Sequence, residues 1–506
     1  MIKVNSYVEL HCHSHFSFKD GASSVEQLAV TAYKLKYNAI ALTDHDNLCG
    51  AIRFDKATKS LGIKSIIGSE LSLDDGHHIT VLASSAKGYS NLCTLLSLSH
   101  VFTDNRSGFG LNPKLLADYG EGLIILSGCR KGQIPKLVHE SKFEEAKKAI
   151  RKYLNWIDRD NFFLELQQNL VKGDTDRNKK LIELSKEFDI GVVATNNVHY
   201  HIRQYHQLHD FLVAIKNNQS LEETHLKRFP NSEFFLKAPK DIIELFKDYP
   251  DAIINTLKIS ERCNFKLTSD LRYTLPDYPV TEGETPLSYL RKLCIDSAQR
   301  RYGIPLSFNI LRRLEEELRL IKTHGLAGFI LHYYDIATLA RRVMIRLGLS
   351  EEEIPLEERP PGRGRGSSVA LLISYLIGLS HIDPLQYRLS LERFLPEDLM
   401  PIALDIDLDF PRNIREELIL EVHKTWGWDR AAITGMISTY QIKGAIRDLG
   451  KVLSLPVKQI DSLVKSIDLS NAENLNEQMH QLPEFKDKIK TLGWKNLIKL
   501  ASQLEG

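Results

Sequence analysis

The sequence has little that would staple the chain, anchor it, or coat it with one sign of charge. Its 506 residues include only six cysteines (Cys12, Cys49, Cys93, Cys129, Cys263 and Cys294), none in C-x-x-C spacing. In a chain of this length that pattern fits reduced thiols rather than a disulfide framework. The longest apolar run, residues 369–379, is broken by Ser374 and Tyr375 and is too short to span a bilayer. The opening MIKVNSYVELHCH lacks the apolar core of a signal peptide. A cytoplasmic protein with no membrane partner is expected. Lys and Arg number 66 against 65 Asp and Glu, a net charge of +1, so no global field advertises a nucleic-acid partner. Any contact with DNA has to come from local basic patches. A hydrophobic share of 43% and a charged share of 26% are ordinary for a soluble globular protein, and the length suits about three domains.

Against this plain background the stretch MPIALDIDLDFP, residues 400–411, stands out. As a strand it alternates with period two, putting Asp405, Asp407 and Asp409 on one face and Ile406, Leu408 and Phe410 on the other. Like charges this close repel, and divalent metal relieves the repulsion. Two metals held by such carboxylates can serve phosphoryl or nucleotidyl transfer. The plain alternative is a solvated edge strand with acidic outer residues.

In the first half, short β-rich runs at 7–10, 39–42, 65–67, 79–82, 123–126, 162–166 and 191–194 alternate with amphipathic segments such as 24–37, 143–157 and 178–188. That alternation predicts an α/β fold, a parallel sheet with helical crossovers, and its sevenfold repetition suggests a closed (β/α) barrel. Metal-capable side chains fall near strand ends. His11 and His13 end the first strand, Asp20 lies in the next loop and His45 ends the second strand. Glu70 follows the third, His78 precedes the fourth, Cys129 follows the fifth and His199 follows the seventh. Strand C-terminal ends are where barrel enzymes carry their chemistry. A mixture of imidazole and carboxylate suits Zn, Mn or Fe.

The phrases His11-Cys12-His13-Ser14, Thr43-Asp44-His45 and Gly68-Ser69-Glu70 resemble successive motifs of the PHP (polymerase and histidinol phosphatase) domain. The resemblance implies a distorted (β/α)7 barrel with up to three metals, Zn2+ or Mn2+. It also implies ligands at His11, His13, Asp20, His45, Glu70, His78, Cys129 and His199, with His77 a neighbouring imidazole. In Thr195-Asn196-Asn197-Val198-His199, Asn197 stands where active members usually carry aspartate. A neutral amide holds a cation more weakly, so a structural metal site and a hydrolytic one both remain open.

The second half begins with a proline-broken linker at 267–279 (Pro276, Pro279). Helical patterns follow at 286–301, 309–323 and 333–347, the second carrying Leu311, Leu314, Leu318 and Ile321 at three-to-four spacing. Then comes RPPGRGRGSS, residues 359–368, leading into a helical run. Glycines let backbone approach phosphate, helix-start N–H groups point at the anion, and Arg365 and Ser367 add donors. An Arg/Gly-rich flexible loop is the alternative. After a helix at 414–424, Lys443, Arg447 and Lys451 recur every four residues, a basic stripe suited to phosphate or simply a solvated helix face. Residues 456–506 read as helical and charged.

The run from GRGSS through DIDLDFP resembles the palm of family C DNA polymerases, the alpha subunits of bacterial DNA polymerase III, and 284–289 and 323–329 resemble the error-prone branch. The resemblance covers essentially the whole chain, with specific motifs in both halves. It implies a PHP barrel at 1–275, an incomplete α+β palm at 276–436 and a helical thumb at 437–506. Asp405 and Asp407 would be two of three metal-binding catalytic aspartates, with Mg2+. Gly364, Arg365, Gly366, Ser367 and Ser368 would hold the incoming deoxynucleoside triphosphate, and Lys443, Arg447 and Lys451 would contact primer–template DNA. Leu371 departs from a second serine common in the family. The third carboxylate has no counterpart in a matching context, so the expectation is an N-terminal piece, inactive alone, completed by a downstream polymerase polypeptide and working with other replication or repair proteins. Two other readings stay open: a metal-dependent phosphoesterase or 3′–5′ exonuclease using the barrel alone, and a non-catalytic scaffold.

Overall fold

The computed structural model describes residues 6–101, 110–271, 275–351, 353–391, 406–427, 429–467 and 474–505; the side chains of Val101, Ser367 and Ser368 lie outside that description. The chain forms two compact units, one of Met1–Leu271 with Ser438–Gly506 and one of Arg272–Ile437.

The first unit is built on a curled six-stranded sheet in chain order: β1 (Ala39–Leu42), β2 (Lys64–Ser72), β3 (His78–Ala83), β4 (Leu123–Leu126), β5 (Phe162–Gln167) and β6 (Gly191–Thr195). The strands are apolar runs buried along nearly their whole length, as expected of a sheet covered on both faces. Residues 7–13, expected as a first strand, form no strand of their own. They link the two ends of the sheet by single bridges, Glu9 to Ile40 and Cys12 to Val198. Backbone bonds run from Ala41 N to Glu9 O (2.8 Å) and from Val198 N to His11 O (2.9 Å).

The sheet is not all parallel. β3 runs antiparallel to both β2 and β4. Only residues 73–77 separate β2 from β3, far fewer than a parallel crossover needs, so they close a hairpin with Ser72 opposite His78. The reversal puts the start of β3, with His78, at the same end of the sheet as the C-terminal ends of the parallel strands. Glu70, expected after a strand, lies within β2 opposite Thr80. Helices cover the sheet. The helix Val25–Lys34 starts with a reciprocal Ser24–Gln27 capping box.

The expected linker begins inside this unit: Leu267 is buried, and the Thr268 hydroxyl donates to Asp55 Oδ2 at 3.0 Å. The helices Ile442–Val452, Val457–Ser466 and Leu492–Leu504 share one apolar cluster with Tyr200, Leu208, Phe211, Leu212 and Ile215. The helix His206–Asn217 is therefore buried along most of its length. Among the described residues no helix is long and apolar enough to cross a membrane.

The second unit is mainly helical. Pro286–Tyr302, Phe308–Thr323 and Ala327–Arg346 enclose a core containing Leu290, Leu314, Leu318, Ile330 and Leu372. Of the expected predictors on the second helix, Leu311 is exposed while Leu314, Leu318 and Ile321 face the core. A two-stranded antiparallel ribbon, β7 (Arg363–Arg365) and β8 (Asp407–Asp409), completes the unit. The expected helix after the glycine loop is a tight 3-10 turn, Gly366–Ala370, followed by the short helix Leu372–Leu376.

Candidate functional site

At the end of the sheet, buried (His11, His13) and partly buried (His45, His78) imidazoles surround Glu70, itself 1% exposed. Glu70 Oε2 lies 3.5 Å from His11 Nε2, 3.3 Å from His13 Nε2 and 3.1 Å from His45 Nε2; Oε1 lies 3.3 Å from His78 Nδ1. The last contact is close but out of hydrogen-bond geometry, and both atoms lack a hydrogen-bond partner. Donor atoms converge in overlapping groups: His11, His13 and Glu70; His45, Glu70 and His78; His13, His45 and His199; Asp20, His199 and His209. His13 stacks on His45 with ring centres 4.5 Å apart. Of the neighbouring imidazoles, His78 turns to Glu70 while His77 turns to Asp75 at 3.0 Å. Cys129 is buried and its Sγ accepts from Lys131 N at 3.4 Å, but it joins none of these groups; burial, with the charge of Glu70, pushes its thiol up. Asn197 is buried with a left-handed backbone (φ 50°) and an unpartnered Oδ1.

The surrounding hydrogen bonds fix which nitrogens can carry protons. His11 Nδ1 faces Glu165 Oε1 at 2.6 Å, which only an N–H satisfies, so a neutral His11 presents a bare Nε2. Ser17 spends its proton on Asp44 Oδ1 (2.7 Å), so its oxygen accepts from His13 Nδ1 (3.1 Å) and His13 Nε2 is bare as well. Those two Nε2 atoms stand 3.1 Å apart beside a carboxylate oxygen. Likewise His199 Nδ1 donates to Asn197 O (3.0 Å), leaving its Nε2 facing Asp20 Oδ1 at 3.6 Å. Lone pairs in such proximity repel unless a cation, proton or metal, lies among them. The donor set, imidazole nitrogen with carboxylate oxygen, therefore fits a divalent metal ion.

The electrostatics agree. Burial opposes a charge on His11, yet Glu165 and Glu70 hold its imidazole well above the ordinary range, a proton doing part of a metal's work. Burial and His199 push His13 down to about 4; burial lowers His45 to about 4 and His199 to about 3. Burial would raise Glu70, but His45, His11 and His78 bring it well below the usual carboxylate range.

Several supporting groups escaped the sequence reading. Glu165 orients His11 and is itself held by Thr195 and Gln167. Glu9 accepts from Tyr7 and from His11 N, and burial pushes it up to about 7. Asp44 accepts from Ser14 N (2.7 Å) and from the hydroxyls of Ser14 and Ser17. Each is a charged residue inside an otherwise apolar strand or at its end, and that was the available signal. His209 is the further one: it belongs to a run of His199, His201, His206 and His209.

In the second unit β7 and β8 pair with Arg363 opposite Asp409 and Arg365 opposite Asp407. Arg365 and Asp409 form an ion pair, and Asp407 and Asp409 are both exposed. Asp405 lies outside the described residues, as do the side chains of Ser367 and Ser368. Beneath the glycine loop is a buried clamp. The Glu317 carboxylate accepts from Leu372 N (2.8 Å), Ile373 N (2.9 Å) and Arg313 Nε (2.7 Å). Arg313 Nη2 in turn donates to Ala370 O at 2.8 Å. Burial pushes Glu317 up, against Arg313 and the two N–H groups. In the first unit the basic stripe is uneven: Arg447 and Lys451 are exposed, Lys443 half-buried, and Lys451 donates to Asn218.

Residues 9–169 match the PHP domain, and residues 288–506 match the bacterial DNA polymerase III alpha NTPase domain. The chain is 34% identical over 497 residues to the error-prone DNA polymerase of Symbiobacterium thermophilum, covering 95% of this chain and 44% of that protein. It is 33% identical over 479 residues to the DNA polymerase III subunit alpha of Treponema pallidum, covering 91% and 39%. Among solved structures it is similar to a two-domain Bacteroides vulgatus protein containing a predicted PHP-like metal-dependent phosphoesterase (TM-score 0.24, 12% identity, covering 51% of this chain and 70% of that one). The two family matches define a protein with a PHP domain and a bacterial DNA polymerase III alpha NTPase domain. The chain belongs to the bacterial DNA polymerase III alpha family, and it spans less than half the length of those two polymerases.

Proposed function

We propose that the second unit supplies part of a two-metal nucleotidyl-transfer site of a DNA-directed DNA polymerase, with the barrel as a metal-stabilised companion domain. The observation that carries this reading is the β7–β8 ribbon, which sets Gly364 and Arg365 beside Asp407 and Asp409. Arg365 pairs with Asp409 in an exposed contact that a phosphate can displace, while among the described residues no ion pair engages Asp407. That division supports Asp407, with Asp405, as the pair of metal-binding carboxylates. Magnesium bound there would neutralise charge developing on the transferred phosphoryl group. The loop 364–368 would position the triphosphate through its backbone N–H groups and Arg365, with Glu317 and Arg313 fixing the loop's far end. Lys443, Arg447 and Lys451 would contact the primer–template backbone. In the barrel, His11, His13, Asp20, His45, Glu70, His78, Cys129 and His199 would hold Zn2+ or Mn2+. The domain reading remains barrel 1–275, palm 276–436 and thumb 437–506, in the cytoplasm.

The test is nucleotide addition to a primed template by this chain together with a downstream polypeptide supplying a third carboxylate. Extension that requires both Asp405 and Asp407 is expected. Full extension by Asp405→Ala and Asp407→Ala variants would overturn the assignment.

A second reading is favoured by the buried donor cluster itself: a metal-dependent phosphoesterase or 3′–5′ exonuclease confined to the barrel. Mn2+-dependent hydrolysis of single-stranded DNA by the chain, abolished by His13→Ala, would support it. Hydrolysis gained only on Asn197→Asp would mark the barrel site as structural.

A further inference from the structure

Two arginines stand side by side near the end of the helix Ala327–Arg346: Arg342 is exposed, whereas Arg341 is 6% exposed. Arg341 Nη1 donates to Arg359 O at 2.6 Å, and its Nη2 donates to Ile354 O at 2.8 Å and Glu351 O at 3.0 Å. Among the described residues no carboxylate forms an ion pair with it. We infer that Arg341 is a positioning residue for an incoming nucleoside triphosphate, acting through the backbone of the loop that begins at Arg359. The inference rests on the polymerase reading above and adds to it a residue outside the glycine motif.

A buried guanidinium is costly unless its donors are met. Here backbone carbonyls meet both terminal nitrogens, while the buried Nε has no partner. The fork thereby ties the segment leaving its own helix, at Glu351 and Ile354, to the first residue of the run RPPGRGRGSS. Two further bonds hold that run by its backbone: His381 Nε2 donates to Gly362 O at 2.8 Å, and Gly364 N donates to Leu379 O at 2.8 Å. Between them Arg300 Nε grips Glu357 Oε1 at 2.6 Å. The loop's own cations are treated differently. Arg359 and Arg363 are exposed and, among the described residues, form no ion pair. Gly366 has a left-handed backbone (φ 67°) with open space where a Cβ would stand. A fixed backbone, uncommitted guanidinium groups and room beside a glycine suit an anion. Because the loop is already ordered, little conformational freedom is lost when the triphosphate arrives.

The competing role is a staple that only closes the turn after the helix. Such a staple needs Glu351 and Ile354 alone, yet the shortest of the three bonds goes to Arg359, where the glycine run starts. A loop serving packing alone would also commit its arginines to the scaffold, as Arg300 is committed to Glu357 and Arg313 to Glu317. Arginine itself is required by the geometry. Its two terminal nitrogens reach acceptors on opposite ends of a planar fork, which a single ammonium cannot do.

The experiment compares the full 506-residue chain with its Arg341→Lys and Arg341→Met variants. Hydrogen–deuterium exchange follows the Gly364 amide, with the helix Phe308–Thr323 as a folding control. Primer extension, with the downstream polypeptide supplied, gives KM for dATP alongside the affinity for primer–template. The inference predicts a protected Gly364 amide in the parent. In both variants that amide exchanges at least about 10-fold faster and KM for dATP rises at least about 10-fold, the scale of one lost hydrogen bond to a charged group. The control helix stays protected, primer–template affinity is unchanged, and lysine does not rescue. A Gly364 amide that exchanges freely in the parent, a reading that requires no variant to fold, would overturn the inference. So would a lysine variant with parental exchange and KM, and in either case extension by the parent would leave the polymerase reading standing. Variants whose control helix also loses protection would make Arg341 a general packing residue and overturn the positioning role. A parent mixture that extends no primer would remove the polymerase reading and this role with it.

Discussion

The barrel centre and the β7–β8 ribbon use the same chemistry, carboxylates set for cations, in opposite surroundings. Around Glu70 the donors are buried or, at His45 and His78, partly buried, and three are held by a further partner: Glu165 behind His11, Ser17 behind His13, a carbonyl behind His199. On the ribbon, Arg365 and Asp409 pair in the open, 69% and 49% exposed at their side chains. Water screens the second arrangement and makes its single ion pair worth about 0–1 kcal/mol. The first is mostly shut off from solvent, so unbalanced charge there is screened far less and is best met by a proton or a metal. The contrast teaches that a buried cluster declares its ion by geometry alone, whereas an exposed acidic strand becomes a site only when substrate or further chain encloses it.

The sharpest way to break this comparison is at the buried clamp under the glycine loop. Glu317→Ala removes the acceptor for two backbone N–H groups and for Arg313, and should destabilise the second unit by about 3–5 kcal/mol in denaturant unfolding. Glu70→Gln should come next, weakening barrel metal about 10- to 100-fold, read by competition with a chelator. A smaller effect concerns acid. In chain stripped of metal, His13 and His45 stay neutral to about 4 and His199 to about 3, against 6.5 when unfolded. The unfolded chain therefore binds more protons below 6.5, and stability falls as pH drops from about 6.5 to about 4. Glu9, pushed up to about 7, binds its proton in the native state and offsets one histidine, not three. Bound metal should flatten that slope in pH-dependent melting curves. Least of all, Asp409→Asn should change unfolding by under about 1 kcal/mol. A loss as large as that of Glu317→Ala would erase the distinction between buried and exposed charge.

The sequence made some of this legible and hid the rest for identifiable reasons. His11, His13, His45 and His199 were readable because strand ends cluster by topology whatever the details of the sheet. The antiparallel β3 was hidden by reading every strand as one repeat, although Asp74-Asp75-Gly76 is a turn too short for any crossover. His78 nevertheless lies beside Glu70, because reversing the strand brings its N-terminal end to the same end of the sheet as the other imidazoles. Glu9 sits in an apolar run bridged to the sheet and Glu165 inside an apolar strand, and both looked like interruptions; burial turns such interruptions into anchors. His209 could not be placed from spacing, since a helix leaving the sheet returns to the site only through its packing on Tyr200 and Phe229.

The most direct test of the central claim, that the buried donors around Glu70 are arranged for divalent ions, is the metal content of the purified chain beside Glu70→Gln and Asp407→Asn variants. Ions retained by the parent and by Asp407→Asn but lost from Glu70→Gln are the expected result. A parent chain without metal, or a Glu70→Gln variant that keeps its full complement, would contradict it.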